Sequence, residues 1–230
     1  MAASGIAAVP TTFRSRFLRG LAPEDVRVIL AAATPRHYFA GSVINNQGHP
    51  AENLFLLTKG RARYFYITRE GRKILLMWYP PGEIFGGAAL LSTPSVYMVS
   101  AEAVVDSNIL VWDRAAIQRL AARYPKLMEN ALLMVADYLA WYLADHVALI
   151  SHSARERLAR VLICLAETIG RRVRDGFEID ATNEELASAA NITPFTASRL
   201  LSAWQKNRAV IKKRGKILLR SRERLFLHTA

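Results

Sequence analysis

The chain has 230 residues, of which 52% are hydrophobic, so it is long and apolar enough to bury a full core in one or two domains. Lys and Arg together number 31 against 19 for Asp and Glu, and the formal net charge of +12 favours a polyanionic partner. A single cysteine, Cys164, excludes an internal disulfide framework and a four-cysteine iron–sulfur cluster.

The positive charge is concentrated toward the end of the chain. Residues 153–230 carry 16 basic and 8 acidic residues, a net of +8, whereas residues 1–152 carry 15 and 11, a net of +4. We expect neither the apolar core of a secretory signal nor an apolar run of about 20 residues that could span a bilayer. It also lacks zinc-ligand spacing and a phosphate-binding Gly-x-x-x-x-Gly-Lys loop. We therefore expect a cytoplasmic protein that is not an enzyme and has no membrane partner.

The first half of the chain predicts a helix followed by many strands. Residues 17–33 have a helical apolar pattern, with Pro23 near a helix start. From residue 37 to 112, short aromatic and aliphatic runs alternate with Gly, Pro and Asn, which indicates an antiparallel β-roll, with a hairpin turn at Glu70-Gly71. Residues 82–91, GEIFGGAALL, predict a loop that leads into a short helix.

A long helix is predicted from Pro125, with an apolar stripe at spacings of three, four or seven residues. A long helix that is apolar along one seam favours a partner helix, so we expect a homodimer. The alternative is that the stripe packs only on the chain's own β-roll. The predicted dimer-interface residues are Leu127, Ala131, Met134, Tyr138, Trp141 and Ala148.

Residues 182–206 predict two helices joined by a tight turn. Thr182 and Glu185 have the spacing of a capping box, in which each side chain satisfies a backbone N–H at a helix start. Asn191 tolerates the left-handed backbone of a sharp turn. Thr193 then supplies an N-cap hydroxyl, and Pro194 occupies the first position of the second helix. This pattern is typical of a helix-turn-helix.

The second helix should have a buried and an outer face. Ala197, Leu200, Leu201 and Trp204 recur at helical spacing and should face the core, so the opposite side would enter a major groove. Arg199 is the main candidate for reading a base, because its guanidinium can donate two parallel bonds to guanine; the alternative is a solvated arginine. The predicted base-reading residues are Arg199, Phe195, Thr196, Ser198 and Ser202.

Behind these helices the sequence predicts a basic hairpin, or wing. Residues 209–211 and 216–219 indicate two strands, and Arg214-Gly215 indicates the turn between them. Basic residues at this tip would neutralise phosphates without reading sequence, unless they form an ordinary solvated charge run. The predicted phosphate contacts are Thr193, Lys212, Lys213, Arg214 and Lys216.

The predicted fold class is α+β, in three parts. These are a jelly-roll-like antiparallel β-roll sensor domain with an N-terminal helix (1–123), a central dimerisation helix (124–151) and a winged helix-turn-helix DNA-binding domain (152–230). Together with the GEIFGGAALL loop, this order of parts resembles the Crp-Fnr family of bacterial transcription regulators over nearly the whole chain. The resemblance implies a sensor β-roll, a parallel homodimer, and double-stranded DNA and RNA polymerase as partners.

The chain departs from the cyclic AMP-binding members of that family. Those members carry a glutamate for the ribose and an arginine for the cyclic phosphate, and here the two positions fall on Gly87 and about Ser95. Without these charges we expect no control by cyclic AMP and a degenerate pocket. The predicted pocket residues are Gly82, Glu83, Phe85, Gly86, Gly87, Ser95, Tyr97, Met98 and Tyr142.

Two further points bear on function. His37, His49, His146 and His152 are candidate haem ligands, but a lone histidine is more often a surface residue, so we expect no cofactor and leave the effector unknown.

The recognition helix begins with Pro194-Phe195 where relatives commonly place Arg or Glu, which predicts a different target sequence. The favoured hypothesis is a sequence-specific transcription regulator. The alternative is a small-ligand-binding regulatory module whose basic C-terminus contacts protein.

Overall fold

The computed structural model describes residues 14–213 and 215–226, which form two compact units. The first unit comprises the described residues up to Ile67 together with Tyr79–Leu139. The second comprises Thr68–Trp78 and the described residues from Ala140 onward.

The first unit opens with two short helical pieces instead of the single helix predicted for residues 17–33. A 3₁₀ turn spans Arg16–Leu18, and helix α1 spans Pro23–Ala31 with Pro23 at its first position. Between them Gly20 has a φ of 76°, a left-handed conformation that interrupts the helical path. The one-helix prediction is therefore wrong at this glycine.

The sheet of the first unit is antiparallel. Its strands are β1 (Thr34–Tyr38), β2 (Val43–Asn45), β3 (Asn53–Ile67), β5 (Ile84–Phe85) and β6 (Ser100–Asp113), while β4 (Lys73–Tyr79) belongs to the second unit up to Trp78. Within the first unit the order is β1-β6-β3, with β2 paired to β6 and β5 paired to β3. Two of the apolar runs in this region, 54–57 and 62–67, belong to one long strand, β3, whose register against β6 shifts between Leu57 and Ala62.

Two helices follow the sheet, α2 (Arg114–Arg123) and α3 (Pro125–Ser151). Asp113 caps α2 by accepting a 2.7 Å hydrogen bond from the Ala116 N–H. The core lies between the sheet and the inner sides of α1, α2 and α3. Within it the Trp112 indole N–H donates to the Ile29 carbonyl at 2.8 Å, so this buried polar atom is satisfied.

The apolar stripe that the sequence assigned to the dimer interface faces inward. Leu127, Ala131 and Met134 are buried in the core of the first unit, and Ala148 is buried in the second. Side chains already covered within one chain offer no surface to a second copy, so the dimer-interface prediction is wrong for these four residues. Tyr138 is packed against the same core, and Trp141 is half-buried.

A second apolar stripe on α3 points outward. Met128, Leu132, Val135 and Leu139 are spaced by four, three and four residues, and Leu132 and Leu139 are 67% and 58% exposed. Among the described residues, α3 is the one helix that is long and apolar enough, by length and composition alone, to cross a membrane. The expectation that no such stretch exists is therefore wrong. A single helix of this kind is weak evidence for a span.

The second unit contains the remaining helices and strands. They are α4 (Ala154–Thr168), β7 (Arg171–Val173), β8 (Gly176–Asp180), α5 (Asn183–Ala189), α6 (Pro194–Lys206), β9 (Val210–Lys213), β10 (Lys216–Leu219) and α7 (Glu223–Phe226). Their sheet has the order β7-β8-β10-β9 and is antiparallel, with Ile217 of β10 opposite Ile179 of β8. Strands β7 and β8 were not predicted. The predicted class is confirmed: α+β, with an antiparallel N-terminal sheet, a long helix and a helix-turn-helix.

Candidate DNA-binding surface and sensor interior

The helix-turn-helix of α5 and α6 is built from the local signals found in the sequence. The Thr182 N–H donates to Glu185 Oε2 at 2.8 Å, and the Glu185 N–H donates back to Thr182 Oγ1 at 3.2 Å, which completes the capping box of α5. Asn191 has a φ of 49°, the left-handed conformation expected of it in the turn. Thr193 then caps α6, with Pro194 in the first turn.

Arg157 of α4 donates hydrogen bonds to the backbone of this turn, a role that was not predicted from the sequence. Its Nε donates to the Ala190 carbonyl at 2.9 Å and its Nη2 donates to the Asn191 carbonyl at 3.2 Å. Its Nη1 donates to the His152 carbonyl at 2.8 Å, just before α4 begins. One guanidinium therefore satisfies three backbone carbonyl groups at helix ends. Because Ala190 and Asn191 are more than 30 residues from Arg157 in sequence, no local sequence pattern predicts these hydrogen bonds.

The two faces of α6 separate as predicted, with one exception. Ala197, Leu201 and Trp204 are fully buried, and the Trp204 indole N–H donates to the Leu225 carbonyl at 2.9 Å. Leu200 is only half-buried and lies at the edge of the buried face. The inner face thus anchors the helix and fixes which side chains face outward.

The outer face of α6 carries a row of exposed side chains. Phe195 is 79% exposed, and Arg199 and Ser202 follow it at helical spacing and are also exposed. The hydroxyls of Thr193 and Thr196 lie 2.9 Å apart, and Thr193 Oγ1 also accepts the Thr196 N–H, so both residues take part in the cap. Ser198 is half-buried beside this row. The structure therefore brings Phe195, Arg199 and Ser202 together as one surface.

The wing is defined as β9, β10 and the turn between them. Its lysine side chains point in two different directions. Lys212 Nζ lies 3.4 Å from Ser202 Oγ, so this ammonium reaches the outer face of α6. Lys213 and Lys216 lie on the other side of the sheet, within 3.8 Å and 3.1 Å of Glu178 carboxylate oxygens. Arg214, the remaining predicted phosphate contact, lies outside the described residues.

The interior of the first unit contains a cluster of aromatic rings beside the GEIFGGAALL loop. Phe55 and Phe85 are stacked with centroids 5.1 Å apart, and Tyr64 contacts Tyr79 at 4.5 Å. Tyr97 lies 6.2 Å from Phe55. Such contacts stabilise the packing beyond the burial of ring surface.

Backbone polar groups beside these rings have side-chain partners. The Gly86 N–H donates to the Tyr64 hydroxyl at 3.3 Å, and the Tyr97 hydroxyl accepts from the Asn53 N–H and donates to the Asn53 carbonyl. A Cβ at Gly86, whose φ is 76°, would meet the Asn53 carbonyl oxygen at 2.6 Å, so the packing requires glycine here. The backbone groups of Gly86 and Asn53 are therefore already hydrogen-bonded to tyrosine side chains of the protein.

A half-buried ion pair lies at the start of the same loop. Arg16 Nε and Nη2 each donate to a Glu83 carboxylate oxygen at 3.1 Å, and Arg16 Nη1 donates to Asp137 at 2.6 Å. The Tyr138 hydroxyl donates to Glu83 at 2.7 Å. Burial, reinforced by the Glu83 charge, raises the pKa of Tyr138, which keeps this hydroxyl protonated as a donor. The network joins the segment before α1, the loop and α3 within the first unit.

The other predicted pocket residues have different surroundings. Met98 is 81% exposed, so its assignment to the pocket is wrong, and Ser95 is half-buried with its carbonyl accepting from the Ala51 N–H. A Cβ at Gly87 would meet open space, whereas a Cβ at Gly82 would meet the Arg14 carbonyl oxygen. Tyr142 lies on the second-unit half of α3 against Trp141.

The candidate cofactor ligands are dispersed. His37 Nδ1 lies 2.8 Å from the Asn108 amide oxygen, on the exposed surface of β1. Over residues 14–213 and 215–226, no group of three or more His, Cys, Asp or Glu side chains is arranged to hold a metal ion. Burial raises the pKa of the Cys164 thiol, as expected for a structural cysteine.

Comparisons with known proteins agree with this geometry. Residues 35–124 match the family described as "Cyclic nucleotide-binding domain", and residues 156–226 match "Crp-like helix-turn-helix domain". The chain is 32% identical over 193 residues to the cyclic AMP receptor protein of Thermus thermophilus, covering 82% of this chain and 85% of the relative.

Other relatives extend the same pattern. A CRP-like cAMP-activated global transcriptional regulator of Mycobacterium tuberculosis is 24% identical over 92% of this chain and 95% of its own length. The solved structure of FixK2 from Bradyrhizobium japonicum is 25% identical, with a TM-score of 0.71 over 84% of this chain and 95% of that one. With its antiparallel sheet, long helix and helix-turn-helix, the chain belongs to the Crp-Fnr family of transcription regulators.

Proposed function

We propose that the protein is a homodimeric, sequence-specific transcription regulator that binds palindromic duplex DNA without needing cyclic AMP. The observation that carries this proposal is the exposed row Phe195, Arg199 and Ser202 on α6, with Lys212 beside it. An exposed phenylalanine next to an uncovered guanidinium is poorly explained by folding alone. It suits a surface that is covered when DNA binds.

The roles on this row follow from side-chain chemistry. Arg199 donates two bonds to guanine O6 and N7, and Phe195 contacts a thymine methyl group. Ser202, Ser198 and Thr196 are shorter side chains that supply hydroxyl contacts to bases at the margins. Lys212 and the cap residue Thr193 contact phosphates, which fixes the register of the helix in the groove.

The dimer forms through the outward stripe of α3 rather than the buried stripe. Met128, Leu132, Val135 and Leu139 repeat at the four-three-four spacing of a coiled-coil seam, and their exposure in one chain leaves apolar surface for a second copy. Two-fold symmetry then presents two α6 helices to half-sites about 34 Å apart. We retain the division into a sensor domain, a dimerisation helix and a DNA-binding domain, with a cytoplasmic location and RNA polymerase as the downstream partner.

Effector independence rests on the filled interior of the first unit. Cyclic AMP would need a cationic side chain for its phosphate and room for its ring. Here Phe55, Phe85, Tyr64 and Tyr97 occupy the space beside the loop, and Glu83 is already paired with Arg16. Two relatives are named for cyclic AMP, but these residues of this chain favour a regulator that binds DNA in its ligand-free form.

The proposal is tested by selecting binding sites from random duplex DNA with purified full-length protein and no added ligand. We expect a palindrome with one guanine per half-site that Arg199 reads. Arg199→Ala should lose about 1–3 kcal/mol of discrimination at that guanine. Arg27→Ala, which removes an exposed arginine on α1, should change nothing. Recovery of no enriched sequence, with or without cell extract, would refute the proposed function.

A second candidate is a small-ligand-binding module, because residues 35–124 match the cyclic nucleotide-binding domain family. Isothermal calorimetry with cyclic AMP and cyclic GMP separates the two functions. Micromolar binding of either nucleotide, with no selection of a DNA site, would favour the ligand-binding module. If titration of either nucleotide gives only the heat of dilution, and the protein selects a palindrome, the DNA-binding regulator is favoured.

A further inference from the structure

The two lysines of β9 point to opposite faces of the wing. Consecutive residues of a strand alternate between faces, and Lys212 is paired with Ile217 while Lys213 is paired with Lys216. Lys212 therefore shares the face of the buried Ile217 and reaches Ser202 on α6. Lys213 and Lys216 share the outer face. The three lysines are not equivalent, although they are neighbours in sequence.

Glu178 of β8 lies at the centre of that outer face. Its Oε1 accepts from Arg171 Nη2 at 2.6 Å and from Lys216 Nζ at 3.1 Å, and its Oε2 lies 3.8 Å from Lys213 Nζ. Lys216 Nζ is also 3.2 Å from Asp180 Oδ1. The Glu178 side chain is only 11% exposed, and its carboxylate has these three basic side chains around it.

Glu178 is charged under all ordinary conditions. The hydrogen bond from Arg171, followed by that from Lys216, lowers its pKa to about 2. Its carboxylate therefore competes with any phosphate for the same two ammonium groups at neutral pH. A phosphate that approaches Lys213 or Lys216 must also approach this negative charge, which weakens the attraction.

We propose that Glu178 limits the affinity of the protein for DNA by holding Lys213 and Lys216 on the outer face of the wing. The inference rests on the proposed DNA-binding function and adds a residue that opposes it. Because phosphate contacts carry no sequence information, Glu178 weakens binding to specific and random duplexes alike. Lys212, which is turned toward α6, is left as the main phosphate contact of the described part of the wing.

The test compares wild type with Glu178→Gln, which keeps the size of the side chain and removes its charge. Binding to the selected site and to a random duplex is measured by fluorescence anisotropy over a range of NaCl concentrations. We expect Glu178→Gln to bind both duplexes about 2- to 10-fold more tightly at 0.1 M salt. The plot of log K against log salt should steepen by about 1–2 per protomer, because two lysines become available.

The matched control is Glu167→Gln, which makes the same charge change in the same unit but at a carboxylate paired with Arg222, away from the wing lysines. It should leave the affinity and the salt slope unchanged. If Glu178→Gln lowers the unfolding temperature below the assay temperature, Asp180→Asn is used, because Asp180 is half-exposed and its carboxylate lies 3.2 Å from Lys216 Nζ. It should shift both quantities in the same direction by a smaller amount.

A double-mutant cycle identifies the mechanism. In a protein that carries Lys213→Ala and Lys216→Ala, the Glu178→Gln change should have little remaining effect on DNA affinity. An equal effect in both backgrounds, no effect of Glu178→Gln, or weaker binding by a folded Glu178→Gln protein would each overturn the inference. Wild-type protein that binds no duplex would instead refute the proposed function, so the two failures are distinct.

Discussion

The interior of the first unit and the outer face of α6 differ in how many of their side chains are committed to the protein itself. Around the GEIFGGAALL loop, rings pack on rings, and Glu83 is shared between Arg16 and Tyr138. On α6, Phe195 and Arg199 are exposed. The exposed aromatic ring and guanidinium that are open to a partner therefore lie on the second unit.

Under the proposed function, this contrast favours the outer face of α6 as the surface that binds a partner. Satisfied polar groups and packed rings lose interactions when a ligand displaces them, whereas an exposed aromatic ring and guanidinium gain interactions. A ligand that binds in the interior would contradict this contrast. Substitution of the exposed and paired side chains measures what each contributes to DNA binding.

The largest effect is expected from charges on the outward stripe of α3. Leu132→Asp combined with Leu139→Asp should turn the proposed dimer into a monomer and weaken binding to the selected DNA site more than about 100-fold, since each buried leucine contributes about 1.5–3 kcal/mol. Analytical ultracentrifugation gives the mass, and anisotropy gives the affinity. Leu91→Asp, at an exposed leucine outside the helix, is the control. A dimer that survives both substitutions would exclude this stripe as the interface.

The second effect concerns the turn between α5 and α6. Arg157→Ala should leave the Ala190, Asn191 and His152 carbonyls without their guanidinium partner and destabilise the second unit by about 2–3 kcal/mol. Urea unfolding followed by circular dichroism measures the loss. Arg160→Ala, at an exposed arginine one turn along α4, should stay within about 0.5 kcal/mol of wild type. An equal free energy of unfolding for the two variants would show that the Arg157 hydrogen bonds do not stabilise the turn.

A smaller effect should separate the wing lysines. Lys212→Ala should lower the salt slope of DNA binding by about 1 per protomer, because its ammonium lies beside the outer face of α6. Lys216→Ala should lower the slope by clearly less, because its ammonium is paired with Glu178 and Asp180. Both slopes come from anisotropy titrations at four or more salt concentrations. A larger decrease in slope for Lys216→Ala than for Lys212→Ala would indicate that the phosphates contact the outer face of the wing.

The smallest expected effect is that of cyclic AMP. At millimolar concentration it should leave the melting temperature and the affinity for the selected palindrome unchanged, since a ligand stabilises only the state that it binds. Differential scanning calorimetry and anisotropy measure the two quantities. An upward shift of several degrees would show that the aromatic interior opens, and the contrast drawn between the two regions would then fail.

The parts of the fold that the sequence predicts well are those set by local chemistry. Thr182 and Glu185 lie three residues apart, Asn191 favours a left-handed backbone, and Thr193 precedes a proline; all three features appear in the structure as expected. Each depends on atoms within about four residues, so no tertiary contact can overrule it easily.

The parts that the sequence does not predict depend on distant contacts. Helix α3 is apolar on two stripes, one through Leu127 and one through Met128, and periodicity alone does not say which stripe meets the sheet. Strands β7 and β8 contain several arginines and acids, so they lack the alternation of a typical strand. Arg157 and Arg16 act on carbonyls and carboxylates more than 30 residues away, and no spacing rule finds such partners.

The contacts of Arg16 and its neighbours have a practical consequence for preparing the protein. Asn130 of α3, which is buried, donates to the carbonyls of Phe17 and Arg19, and Glu83 depends on Arg16 for its charge balance. Shortening the polypeptide from its beginning past residue 19 would therefore remove the partners of the buried Asn130 amide and of the half-buried Glu83 carboxylate. We expect such trimmed versions to express poorly, and affinity tags should be attached so that this stretch is kept.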